Sequence, residues 1–557
     1  MALGSFRRPD ALERLAADRF DVLVVGGGIT GAGVALDAAA RGLRTALIER
    51  DDFASGTSSK SSKLIHGGLR YLQQGDVRLV YEALHERQRL WHNAPHLVHV
   101  LPFLIPAFTG KDGVVPRRLW RALGKAMWMY DLTGGWRLGK LHQRLSAAET
   151  IAHMPTLPGD RVEGGYLYYD ATADDARLTL TIARTAALDH GAVVANGVAL
   201  AGVVKDAGGR AVGASVRTAE GDTFDIAADV LVNATGVWAD DVRALDEGTH
   251  PASIRPAKGI HITVPWQFVR NDIAVVVPVP KDKRSVFVVP WGGPPGGEPR
   301  FAYIGTTDTD FDGPLDDPQC TPADIDYLLG AINFSVADRD ITRADILGTW
   351  AGLRPLVRSA GSGKTADLSR GHQIKVSRTG VVTITGGKLT TYRHMAEDTV
   401  DAALKVLGDR AKRRVARRSP TAKLRLRGAD GYEQLASSSD PLARLLAERY
   451  GGDANVLVAM VDDDASLGDP LVPGTEYVRA EAVYAARHEM GRTLSDILAR
   501  RTRALLQARE ASVGSAPGVA ALVAPELGWG DGEIERQVAA YRELAARETE
   551  STAVLPS

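Results

Sequence analysis

A single cysteine, Cys320, stands in the 557 residues of the chain. That excludes a disulfide framework, a thiolate metal cluster and a two-cysteine redox centre, and predicts a reducing compartment. Long apolar runs are missing too: no uncharged stretch reaches the roughly 18 residues that a spanning helix needs. The opening Met1-Ala2-Leu3-Gly4-Ser5-Phe6-Arg7-Arg8-Pro9-Asp10 lacks the apolar core of a secretory signal. The expectation is a cytoplasmic protein that does not cross a membrane, with contact at a membrane surface left open. Charge of one sign is also scarce, with a formal net charge of −1. There is then no global attraction to nucleic acid, and any basic surface must be local. What remains is an ordinary globular composition, 45% hydrophobic and 24% charged, enough for two to four folding units at about 100–200 residues each. No metal site and no internal repeat is expected.

The chain is organised around its first glycine-rich turn. Asp21-Val22-Leu23-Val24-Val25 is an apolar strand without alternation, the pattern of a strand buried on both faces. It runs into Gly26-Gly27-Gly28-Ile29-Thr30-Gly31 at G-x-G-x-x-G spacing. Gly26 permits the tight turn, Gly28 lets backbone approach a pyrophosphate, and Gly31 lets the following helix pack closely, its N-terminus at Ile29 and Thr30 facing the phosphates. A second strand, Leu43 to Ile48, ends at Glu49, about 20 residues past the turn, where a carboxylate takes ribose hydroxyls. The fingerprint predicts dinucleotide binding and leaves FAD and NAD both open.

A polar loop follows, in which Thr57, Ser58, Ser62 and Lys63 are candidates for a pyrophosphate. It leads into Leu64-Ile65-His66-Gly67-Gly68-Leu69-Arg70, whose paired glycines would let backbone lie against a flat ring. The spacing predicts a helix from Val80 to Trp91, an insertion rich in Pro, Trp and Arg from Ala94 to Trp136, and a helix capped by Asp174 or Asp175 that runs to about His190. Short strands near Val193 and Val198 precede a hairpin turning at Gly208-Gly209. Another buried strand ends at Ala234-Thr235-Gly236, which would place backbone beside the cofactor at the carboxyl edge of the sheet. From Arg255 to Val357 the pattern turns β-rich, as for an antiparallel sheet covered by one helix, Thr321 to Val336. A last strand ends in Gly386-Gly387-Lys388-Leu389-Thr390 and passes into a helix, a second strand–glycine–helix turn. Beyond Lys405 the composition becomes basic, readable as a solvated linker or as a patch facing anionic lipid. The remainder is helical.

These motifs resemble the FAD-dependent glycerol-3-phosphate dehydrogenases of the respiratory type. The resemblance rests on Gly26 to Gly31, Ser61 to Leu72, Val232 to Trp238, Lys258-Gly259-Ile260-His261, Ile304 to Asp308, Gly352 to Leu356 and Gly386 to Arg393, in family order. Ile260 departs from the serine expected between glycine and histidine. The resemblance implies FAD as cofactor, glycerol 3-phosphate oxidised to dihydroxyacetone phosphate, and a membrane quinone as electron acceptor at the cytoplasmic face of the membrane. A homodimer is possible. The implied fold is α/β: an FAD-binding Rossmann-like domain (18–90, 166–254 and 358–404) interleaved with an antiparallel-sheet substrate domain like that of glycine and D-amino-acid oxidases (91–165 as an insertion, then 255–357). A basic linker (405–427) and a C-terminal helical cap domain (428–557) complete it. Cofactor contacts are expected from Gly26, Gly28, Ile29, Thr30, Gly31, Glu49, Thr57, Ser58, Ser62, Lys63, Leu64, His66, Gly67, Gly68, Val198, Ala234, Thr235, Gly236, Gly387, Lys388, Leu389 and Thr390.

The chemistry constrains the rest. A small phosphate dianion wants fixed cations, and the planar fork of arginine suits it. Arg70, Arg354, Arg370 and Lys388 are the candidates, with Thr307 beside them. Oxidation of a secondary alcohol wants a base poised near neutrality, which points to His66 or His261. Lys388 would also stabilise negative charge on a reduced flavin. Three rivals remain: a glycerol-phosphate oxidase that uses oxygen, an amine or amino-acid oxidase of the same fold, and a non-catalytic nucleotide sensor.

Overall fold

The structure is a computed structural model that describes residues 6–69, 77–108, 117–280, 282, 284–358, 371–409 and 413–550. Arg70 and Arg370, both expected at the substrate, lie outside the described residues, as do Arg410 and Lys412 of the basic stretch.

The strand Arg19–Val25 lies at the centre of a parallel sheet, between Thr223–Asn233 and Thr45–Ile48, with Val382–Gly386 and Val193–Ala195 completing the parallel set. Every residue from Phe20 to Val25 is buried, which is why the strand does not alternate. Helices Ile29–Ala40, Asp175–Leu188 and Tyr392–Leu407 pack beside it. Asp174 caps the second of these by accepting from the Arg177 amide at 2.9 Å, as its position in the sequence predicts. The hairpin is present: Val198–Lys205 pairs with Ala211–Thr218, which then pairs with Thr223–Asn233.

The second sheet has ten strands and is mostly antiparallel. It contains Ile254–Pro265, Ala274–Pro278, Ser285–Trp291, Phe301–Gly305 and Gly348–Val357 from the expected β-rich region. It also takes Leu64–Ile65, Val98–Phe108 and Val162–Ala173 from much earlier in the chain. The expected boundary between 165 and 166 therefore falls inside a strand. Pro102 and Pro106 disguise Val98–Phe108, because proline removes ladder donors. The strand tolerates them because its partner Ala274–Pro278 meets it only at Phe103 and Leu104. The helix Pro322–Ser335 covers this sheet, capped by Thr321.

The basic stretch is a strap over the cofactor domain and is partly neutralised. Arg414 pairs with Asp21 at 2.7 Å, Arg425 with Asp430 at 2.7 Å, and Arg427 with Asp189 and Asp453 at 3.2 and 2.9 Å. Its reading as a lipid-facing patch is weakened by those acids, of which Asp21 and Asp189 are distant in sequence and close in the fold. Helices Pro441–Tyr450, Ala454–Asp463, Arg479–His488, Arg509–Leu527 and Asp531–Glu550 form the C-terminal domain.

Candidate active site

At the carboxyl ends of the parallel strands lies a cleft with about 1250 Å³ of empty volume, open to solvent. Gly26, Gly28, Ile29, Thr30, Glu49, Thr57, Ser58, Val198, Ala234, Thr235, Gly236, Gly387, Lys388 and Leu389 line it, together with Arg50, Trp238, Leu245, Pro355 and Met395, which sequence reasoning missed. Trp238 had a signal, because it closes the Val232 to Trp238 motif; its indole N–H donates to Asp316 at 2.9 Å and its ring lies 5.2 Å from the Arg50 guanidinium.

The cleft has the features a dinucleotide needs. Gly26 has φ +109°, and a Cβ there would come within 2.8 Å of the Ala234 carbonyl oxygen; a Cβ on Gly31 would overlap the Gly26 carbonyl oxygen itself. Turn, strand and helix thus close on one another with no room for a side chain, leaving the helix N-terminus facing the cleft. The Ser58 hydroxyl accepts from the Ile29 amide at 2.8 Å. Glu49 accepts from the Gly27 and Asp51 amides at 2.6 and 2.9 Å. Burial pushes its carboxyl up to about 7 against the pull of those two amides, with Asp51 and Asp52 adding to the rise. These residues fit FAD: the Glu49 carboxylate would suit its ribose and the glycine turn its pyrophosphate.

Other expected cofactor residues are placed differently. Gly31, Ser62, Lys63, Leu64, His66, Gly67, Gly68 and Thr390 are not among the residues lining the cleft. Gly67 is glycine because a Cβ would strike Leu84 and the Tyr130 hydroxyl, so its bareness serves helix packing. The Ser62 hydroxyl lies 2.8 Å from His261 Nε2. Lys63 is buried, pairs with Asp175 at 3.4 Å and sits 4.6 Å above the Trp350 ring. Burial pulls its ammonium down to about 8, opposed by Asp175 and reinforced by Arg503. Thr390 joins the late glycine turn to the early motif: its hydroxyl accepts from the His66 amide at 3.1 Å and donates to the His66 carbonyl at 3.3 Å.

The sheet face beyond the cleft gathers the remaining candidates. His261, Trp350 and Gly305 are register partners on three neighbouring strands. The imidazole stacks on the Trp350 indole at 4.7 Å and 9°, in the space that a Cβ on Gly305 would occupy. It is 2% exposed, and its Nδ1 has no hydrogen-bond partner among the described residues. Burial, and then the positive charges of Lys63 and Arg354, hold its pKa well below the ordinary 6.5, so the ring is neutral. Gly259, two residues earlier on the same strand and therefore on the same face, has no Cβ because the Arg354 guanidinium and the Thr306 hydroxyl fill that space. Arg354 reaches Thr306 Oγ1 and the Thr307 carbonyl at 3.2 Å each, and Asp308 at 3.4 Å. The Thr307 hydroxyl is spent on the Ile260 amide at 3.2 Å in a buried position, so Thr306 is the threonine beside the arginine. The neutral His261 imidazole, the Arg354 guanidinium with Asp308 beside it and the buried Lys63 ammonium thus lie close together.

Residues 21–393 match the family described as FAD dependent oxidoreductase, and residues 419–534 the family described as the C-terminal domain of alpha-glycerophosphate oxidase. Glycerol-3-phosphate dehydrogenase 2 of Mycobacterium tuberculosis is 41% identical over 554 residues, covering 97% of this chain and 90% of its own. The human mitochondrial glycerol-3-phosphate dehydrogenase is 36% identical, covering 94% of this chain and 73% of its own. Among solved structures, the glycerol-3-phosphate dehydrogenase of Bacillus halodurans complexed with FAD superposes with a TM-score of 0.76 at 28% identity, covering 98% and 99% of the two chains. The chain is an FAD-dependent enzyme and belongs to the glycerol-3-phosphate dehydrogenase family.

Proposed function

We propose that this chain oxidises glycerol 3-phosphate to dihydroxyacetone phosphate and passes the electrons to a membrane quinone. The observation that carries the reading is the neutral His261 ring on one sheet face with the Arg354 guanidinium, joined by the names of the relatives. FAD, when bound, supplies the acceptor for the two electrons that leave the substrate carbon as hydride. The chain's own residues do the remainder. Arg354 offers planar donors to the phosphate and orients the substrate along the sheet. His261 takes the hydroxyl proton at Nδ1, while Ser62 fixes the ring through Nε2. Lys388 stands at the start of the turn Leu389–Thr391 and the helix Tyr392–Leu407, where an ammonium and a helix N-terminus together favour negative charge. His66, tied by its backbone to Thr390, holds the Gly-Gly-Lys turn to the early motif.

An exposed apolar cluster supports a membrane acceptor. Trp128, Met129 and Leu132 on the helix Arg117–Thr133, then Trp136 and Leu141, are all exposed, Leu132 by 77%. Exposed Lys125, Lys140 and Arg144 accompany them. Tryptophan with basic residues suits the headgroup level of an anionic bilayer. No helix among the described residues is long and apolar enough to cross a membrane, so the contact would be peripheral.

The test is anaerobic stopped-flow of the FAD-loaded protein. Bleaching by glycerol 3-phosphate followed by fast reoxidation with a quinone analogue is the expected result. Fast reoxidation by oxygen instead would make the protein an oxidase, and no bleaching would overturn the substrate.

A further inference from the structure

The C-terminal domain sends three arginines from one short segment into the cofactor domain. Arg500 and Arg501 both grip Asp52, at 2.6 Å, three residues after Glu49. Arg503, fully buried, takes both Asp174 oxygens at 2.9 and 2.8 Å, pairs with Asp175, and donates to the Ser59 carbonyl at 3.4 Å. The stretch 49–63, which borders the cleft, is thus held near both ends by the same segment.

The second grip leads to the reaction. Asp175 divides its carboxylate: one oxygen faces Arg503 and Lys63, and the other accepts from the Ser61 amide at 2.9 Å and the Ser61 hydroxyl at 2.7 Å. The Ser61 hydroxyl in turn accepts from the Lys63 amide at 2.9 Å, in a turn where Lys63 has φ +57°, a conformation that a non-glycine residue keeps only when its surroundings impose it. Between Ser61 and Lys63 lies Ser62, whose hydroxyl meets His261.

We propose that Arg503 is a positioning residue: through Asp175 it holds the Ser61–Lys63 turn so that Ser62 fixes the His261 ring and Lys63 stays above Trp350. The C-terminal domain then takes part in setting the reaction geometry without touching the substrate. This rests on His261 being the proton acceptor proposed above.

The test compares Arg503→Met, Arg503→Lys and Ser61→Ala as FAD-loaded full chains, by amide hydrogen exchange and by anaerobic flavin reduction. In Arg503→Met the amides of 61–63 should exchange faster while the strand Arg19–Val25 is unchanged. The limiting reduction rate should fall about 10²-fold, the loss that follows from misplacement by roughly 1 Å. The substrate concentration for half-saturation should hold, because Arg354 is untouched. Arg503→Lys, which can bridge only part of the two carboxylates, should recover part of the rate. Ser61→Ala, which leaves the domain contact intact, should show the same split between rate and saturation and decides the matter if Arg503→Met fails to fold. Full-rate reduction in Ser61→Ala, or unchanged exchange at 61–63 in a folded Arg503→Met, would overturn the proposal. Absence of bleaching in the unmodified protein would instead sink the substrate reading, and the exchange comparison would still decide the clamp.

Discussion

Replacing His261 by asparagine tests the proposed chemistry and the electrostatics together. A positioned general base contributes about 10²- to 10⁴-fold, or about 3–5 kcal/mol of barrier, so the limiting rate of flavin reduction by glycerol 3-phosphate should fall by that factor. The structure adds a sign. Burial, then Lys63 and Arg354, hold the imidazole well below its ordinary 6.5, so the unmodified enzyme should lose no rate to this group between about pH 7.5 and about pH 6. The unfolded chain does take up a proton on this ring as the pH falls through about 6.5, whereas the folded chain does not. The contribution to stability is therefore complete above that pH and is lost as the pH falls, by about 1 kcal/mol between pH ~6.5 and ~5.5. Urea unfolding at the two pH values should show that loss in the unmodified protein and about 1 kcal/mol less of it in His261→Asn. A variant that keeps its rate within threefold of the parent would refute the base assignment. A kinetic limb near pH 6.5 that disappears with the mutation would refute the argument from burial and charge.

Arg354→Ala should raise the substrate concentration for half-maximal reduction by about 10²-fold, as expected for losing a charge-assisted partner of a phosphate, and steady-state kinetics on the FAD-loaded protein would measure it. The Glu49 carboxyl is pushed up to about 7, and a carboxylate would accept from the two ribose hydroxyls better than the protonated acid, which gives up acceptor capacity to its own O–H. FAD affinity should therefore strengthen from pH ~6 to ~8, and Glu49→Gln should flatten that dependence in a fluorescence titration of the apo-protein. Leu132→Glu combined with Trp136→Glu should reduce co-sedimentation with anionic vesicles while leaving anaerobic reduction by substrate intact; undiminished sedimentation would move the membrane contact elsewhere.

The parts of this protein that depend on local chemistry are readable in its amino-acid order. A strand buried on both faces must be continuously apolar, and a turn that lets backbone, helix and ligand converge must be glycine. Gly26, Gly28, Gly31 and Glu49 consequently announce the nucleotide cleft, and the carboxylates Asp174 and Asp175 announce the helix that Asp174 caps. His261 and Arg354 are visible as candidates because their residue types suit the chemistry. What the sequence order cannot express is which distant residue removes the freedom of each group. The roles of Thr306 and Thr307 separate only when Thr307 meets the Ile260 amide. Lys63 reads as a phosphate ligand until the fold buries it between Asp175 and Trp350, and the basic stretch reads as free charge until Asp21, Asp189 and Asp453 arrive from elsewhere. The proline-bearing strand Val98–Phe108 joins the second sheet through pairing with Val162–Ala173, a partner far along the chain. Motifs at fixed spacing encode what the backbone does within a few residues. The protonation of a buried histidine, the sharing of Asp175 among Arg503, Lys63 and Ser61, and the choice of exposed face depend on contacts across hundreds of residues, and tertiary packing alone decides them.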